Sequence, residues 1–143
     1  MGLLVGLCSL RAAPLPQGVV DEGTGLGTFT NCRLVPAQWN DGDSFGVLFP
    51  DGSTHTLRLY GVDCFETSER HPTDRRRLRS QRAYFGIAGS GGDERSSIKA
   101  AIMLGGAAKK RVGELLSKPF TVHTAWADGR GHPRHKRYYA FIL

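Results

Sequence analysis

Cysteine is scarce in this chain. Only Cys8, Cys32 and Cys64 are present, with no CxxC pair and no zinc-ligand spacing. An odd count excludes a fully paired disulfide framework, and nothing in the sequence joins Cys32 to Cys64. Long apolar runs are also missing. The longest, residues 1–10, is too short to span a bilayer. Followed by Arg11-Ala12-Ala13-Pro14, it reads as the apolar core and cleavage end of a secretory signal, although the basic segment that should precede it is absent. The expectation is an exported protein with no stable membrane insertion. His132 and His135 have no third metal-ligating partner near them in sequence, so they read as loop residues. Negative charge is in short supply: 19 Lys and Arg oppose 13 Asp and Glu, for a net charge of +6. Such a balance suits a polyanionic partner through steering and counterion release, but equally a merely soluble basic protein.

What is present is one domain's worth of chain. Residues 14–27, rich in Gly and Pro, form a flexible lead-in. Residues 1–27 are thus leader and lead-in, and residues 28–143 the folded domain. The informative stretch is 40–67, NDGDSFGVLFPDGSTHTLRLYGVDCFET. Asn40-Asp41-Gly42-Asp43 is turn chemistry, and Pro50-Asp51-Gly52-Ser53 is a hairpin turn between two strands. Residues 54–60 alternate, so Leu57 and Leu59 share one face while Thr56, Arg58 and Tyr60 share the other. Antiparallel pairing brings Asp43, at one end of the hairpin, towards Asp63 at the other. Oxygen ligands of this kind suit calcium. A carboxylate three residues on, Glu66, is placed to act as general base on a water, and Arg58 to grip phosphate oxygens bidentately. Taken singly, turn aspartates and a plain Arg58–Glu66 ion pair explain each residue. The four together point to metal-assisted phosphodiester hydrolysis.

These motifs, DGDSF followed by LRLYGVDCFET, resemble the staphylococcal nuclease (thermonuclease-like) family. The resemblance covers residues 29–143. Two departures are Cys64-Phe65 in place of Thr-Pro, and Ser44 in place of Thr. The resemblance implies an α+β fold, a five-stranded barrel of the oligonucleotide/oligosaccharide-binding (OB) type with packed helices and without the usual C-terminal helices. It implies a monomeric calcium-dependent endonuclease acting on DNA or RNA, with the 5′ oxygen as leaving group. Asp43, Asp63 and the carbonyl of Cys64 would hold the metal, and Arg58, Glu66 and a second arginine would carry catalysis. The family pattern Arg-x-Leu-Ala-aromatic-Ile is matched by Arg137-Tyr138-Tyr139-Ala140-Phe141-Ile142, which selects Arg137, with Arg130 as runner-up. The rival class is the same barrel as a non-catalytic module that binds nucleic acid or protein.

The remaining elements follow from pattern. Residues 28–38 read as a first strand, and Trp39 as a core residue. Residues 68–95 are crowded with arginine. Thr73 or Asp74 caps a short helix there, running to residue 86. Arg75, Arg76 and Arg79, with Arg134 further on, are candidate nucleic-acid contacts, and a solvated basic helix explains the first three equally well. A longer helix starts at Ser96 or Ser97 and stops before Pro119, and Gly105-Gly106 within it suggests close packing on the sheet. Residues 120–126 and 138–143 are the last strands.

Overall fold

In the computed structural model, which describes residues 15–131 and 135–143, eight elements run in the order β1 (Val19–Val20), β2 (Gly27–Val35), β3 (Ser44–Leu48), β4 (Thr54–Leu59), α1 (Pro72–Tyr84), α2 (Glu94–Leu115), β5 (Phe120–Thr124) and β6 (Arg137–Ile142). The fold is α+β. The hairpin forms as its turn chemistry requires: Phe49 and Ser53 close the turn, and Gly52 sits at φ +83° where only glycine is unstrained. Ser44 then pairs with Arg58 and Phe45 with Leu57. β2 is long enough to serve two neighbours. Its C-terminal half pairs with β3 and its N-terminal half with β5. The ladder shifts between Phe29 and Cys32, where Asn31 takes a positive φ, so the strand bends between its two partners. β6 lies parallel to β4 and antiparallel to β5. The pairings β2-β3-β4-β6-β5 and back to β2 form a ring, with the short β1 on the outside of β2. The lead-in therefore carries a strand of its own.

The inward face holds the core. Phe29, Cys32, Phe45, Val47, Phe49, Leu57, Phe120, Val122 and Ala140 are buried there. Leu57 is buried and Arg58 points the other way, as the alternation predicts. Trp126 joins this core in contact with Phe29, Phe49, His55 and Tyr138. Trp39 does not: it is 55% exposed, and the expectation of a core role is corrected. Cys32 and Cys64 are free thiols. Among the described residues no helix is long and apolar enough to cross a membrane. The segment expected to be a secretory signal, residues 1–14, lies outside the described residues.

Both helices start earlier than expected. α1 begins with Pro72 in its first turn, where proline's missing N–H is no loss, and neither Thr73 nor Asp74 caps it. α2 begins at Glu94 because the Asp93 carboxylate accepts from the Ser96 N–H at 2.8 Å. The two helices are joined through Arg82, which bonds to Ser97 and to Glu94. The glycine pair in α2 divides by role. A Cβ on Gly105 would run into the backbone carbonyls of Phe65 and Glu66, whereas one on Gly106 would meet nothing. The expected packing on the sheet is corrected: the close contact at Gly105 is against the exit loop of β4. A second contact is similar: a Cβ on Gly42 would strike Ala108 of α2 and the Cys64 sulfur. α2 consequently clamps both loops that flank the hairpin.

Replacing an interior helical glycine by alanine normally gains about 1 kcal/mol. Gly106→Ala should raise the urea midpoint accordingly. Gly105→Ala should lower it, since the new methyl must displace the 65–66 backbone. Equal shifts for the two would refute the clamp.

Candidate functional site

The hairpin, the loop after β4, the start of β6 and one face of α1 converge on Asp43. This carboxylate is 4% exposed. One oxygen accepts from the Ser44 hydroxyl at 2.6 Å, and the other from the Cys64 N–H at 3.1 Å. Arg58 Nη2 lies 3.4 Å from Asp43 and 2.8 Å from Asp63. Asp43 and Asp63 are therefore brought to one guanidinium, as the antiparallel hairpin requires. Asp63 is the outer member, with its side chain 65% exposed.

Glu66 does not pair with Arg58. Its carboxylate binds Arg77 of α1 at 2.9 Å, and this hydrogen bond raises the guanidinium pKa of Arg77. Gln81, one turn along α1, donates to the Cys64 carbonyl at 2.7 Å and accepts from the Glu66 N–H at 3.2 Å. One side chain thus fixes the backbone at both ends of the 64–66 segment. Arg77 and Gln81 are the residues that sequence reasoning missed. Their i,i+4 spacing places them on one face of α1, and that spacing was the available signal.

Asp41 is a second omission. Its Oδ1 accepts from the N–H groups of Asp43 and Ser44, which is the expected turn role. Burial, and then the neighbouring charge of Asp43, push its pKa up to about 6. Negative charge is thereby crowded behind Asp43.

Arg137 enters from the opposite side. Because Thr56 pairs with Arg137 and Arg58 with Tyr139, these residues leave the β4–β6 pair on one face. The Arg137 guanidinium donates to Ser44 Oγ at 3.3 Å and to the Gly129 carbonyl at 2.8 Å. Burial, and then the positive charge of Arg58, depress its pKa. Gly129 and Gly131 lie against its side chain so closely that a Cβ on either would crowd it. Arg130, the runner-up, is exposed, and its carbonyl accepts from Arg137 at 3.4 Å. A hollow of about 460 Å³ opens between Arg58, Asp63, Arg76, Arg77, Arg137 and Tyr139.

The other basic candidates separate. Arg76 lines this hollow. Arg75 is turned to the carbonyls of Glu69 and Arg70, and Arg79 is exposed on α1 away from the hollow's lining. Arg134 and His132 lie outside the described residues, and His135 is exposed.

The donor set matches a hard cation in chemistry but not in its present geometry. Carboxylate and carbonyl oxygens from Asp43, Asp63 and Cys64 are the right chemistry for such an ion. In the present arrangement Arg58 supplies the positive charge between the two aspartates. Among the described residues no three His, Cys, Asp or Glu side chains converge closely enough to hold a metal ion as they stand. Comparison of the whole chain with protein-family models and with curated proteins finds no match to either.

A carboxylate whose folded pKa is raised adds stability below its unfolded pKa and loses that addition as pH climbs through the folded value. In chelator, Asp41 should therefore stabilise the fold near pH 4 relative to pH 7. Asp41→Asn keeps the acceptor oxygen and removes the charge. The stability advantage of this variant over wild type should grow between about pH 4 and pH 6 in urea titrations. A pH-independent difference would contradict the burial of a titrating carboxylate here.

Proposed function

We propose that this chain is a calcium-dependent nuclease of the staphylococcal type, hydrolysing phosphodiester bonds in DNA or RNA on an OB-type barrel. The observation that carries the reading is the pair of guanidiniums, Arg58 and Arg137, on one face of β4 and β6 beside the Asp43 and Glu66 carboxylates. Two cations set on one face, one of them with its pKa depressed by burial and by the other, form a seat for an anion. A phosphodiester flanked by a carboxylate base is the substrate that uses both features. The ring of five strands is compatible with the barrel, and the DGDS and RLYGVDCFE motifs support the family reading.

In this reading Arg58 and Arg137 hold the non-bridging phosphate oxygens and stabilise the charge that builds on them in the transition state. Glu66 exchanges Arg77 for a water and takes its proton. Gln81 keeps the 64–66 backbone in place during that exchange. Asp43 and Asp63, with the Cys64 carbonyl, would hold the cation. When bound, a divalent ion supplies Lewis-acid charge at the phosphate and lowers the pKa of water. Arg76 extends the positive wall along the strand's path.

Cleavage of a labelled single-stranded DNA, with calcium and then with chelator, tests the reading. Cutting should require calcium. Glu66→Gln should keep affinity and lose turnover, and Arg137→Ala should cost about 3 kcal/mol of transition-state stabilisation, as does loss of one oxyanion donor. Arg130→Ala should cost less than Arg137→Ala. Full activity of Glu66→Gln would remove it as the base. Salt-sensitive binding without any cutting would leave the non-catalytic module in its place.

A further inference from the structure

Several aromatic side chains are exposed, among them Tyr60, Tyr84 and Phe85, but of these exposed aromatics Trp39 is the one that lines a hollow beside the candidate site. It is 55% exposed, whereas the other tryptophan, Trp126, is packed among core aromatics. The placement of Trp39 is rigid. One part of the ring lies over Gly46, where atoms Cζ2 and Cη2 come within 3.3 and 3.4 Å of the position a Cβ would take. The flanking backbone is pinned on both sides. Lys109 donates to the Gln38 carbonyl at 2.6 Å, and the Asn40 side chain bridges the Val35 carbonyl and the Gly46 N–H.

The exposed indole forms one wall of a hollow of about 600 Å³. Arg77, Arg130 and Arg137 line it too, with Asp41 and Ser44, and the same three arginines line the hollow that holds Arg58 and Asp63. Arg137 therefore stands between two open chambers. Arg130 is presented by a loop residue at φ +55°, a conformation unfavourable for a non-glycine side chain, with its N–H held by the Asp128 carboxylate at 2.9 Å. A volume near 600 Å³ is ample for one nucleotide unit. Aromatic face plus guanidiniums is the combination that single-stranded nucleic acid uses: bases stack on the ring and phosphates meet the cations.

We infer that the Trp39 hollow is a nucleobase subsite, seating the base next to the phosphate held by Arg58 and Arg137, with Arg130 facing the following phosphate. The inference rests on the nucleic-acid reading of the site and adds its substrate form: a strand with unstacked bases, continuing past Arg137 on the Trp39 side. A paired duplex keeps its bases stacked on one another and cannot offer a face to the indole.

The test uses the full chain in chelator, so that binding is read without turnover. Fluorescence anisotropy follows a labelled oligothymidylate and a fully abasic strand of the same length. Trp39→Ala should weaken oligothymidylate binding about tenfold or more, the typical loss per stacked base, and Trp39→Phe should retain most of the affinity. Both variants should keep the wild-type salt slope, because no phosphate contact is removed. On the abasic strand, wild type and Trp39→Ala should bind alike. In a second readout, oligothymidylate should quench wild-type tryptophan emission, and Trp39→Phe should abolish the quench, since Trp126 is half-buried among Phe29, Phe49 and Tyr138 and lines neither hollow. If Trp39→Ala binds oligothymidylate within about twofold of wild type, or if wild type shows no quench, the subsite is refuted while the nuclease reading stands. If wild type binds neither strand, both fall together.

Discussion

A carboxylate as buried as Asp43 keeps its charge only when cations and N–H groups surround it. The structure meets that requirement by drawing three separate pieces of chain onto one side chain. Ser44 comes from the first residue of β3, Arg58 from β4, and the Cys64 N–H from the loop beyond. Asp43 also fixes the strand end directly, since its carbonyl accepts from the Leu59 N–H at 2.8 Å. Removing the carboxylate would leave Arg58 with Asp63 alone, out in solvent. The remainder of the site is hung on this knot: Gln81 ties the next two residues to α1, and Gly105 lets α2 press on the same loop.

Crowded arginines are therefore not equivalent. Arg82 is buried and serves the helix–helix contact with Ser97 and Glu94. Arg77 holds Glu66, Arg58 holds the aspartates, and Arg137 is fixed by a glycine-rich loop. Each of the last three lies beside the same open face. Electrostatic repulsion among them is tolerated because Asp41, Asp43, Asp63 and Glu66 are interleaved. Alternating signs at close quarters stabilise this arrangement and leave cations aimed at the solvent.

Much of this was readable from the chain alone. Strand alternation sent Arg58 away from Leu57, and the hairpin signal brought Asp43 and Asp63 to a common neighbour. Those are short-range consequences of backbone geometry. The partner of Glu66 was not readable in the same way. Arg77 and Gln81 reach the site only because α1 packs with that face inward, and many faces of an arginine-rich helix look alike in sequence. The N-terminus of α2 was misplaced by two to three residues because Asp93 sits in a loop of glycines and its capping role shows only once the backbone turns. Trp39 was misread for a plainer reason. Hydropathy assigns an indole to the interior, and nothing local reveals that Gly46 carries it on the outer surface.

The parallel pairing of β6 with β4 has a consequence for biosynthesis. Between those two strands lie both helices and β5, so the ring closes through contacts of long sequence separation. On a ribosome, residues up to 131 emerge with the aspartates and Arg58 already made, yet Arg137 and its strand follow afterwards. An emerging chain holds Arg58 without Arg137 beside it until the ring is shut. Any chemistry that needs both cations must wait for that last strand, so the order of the chain also sets the order in which the site is assembled.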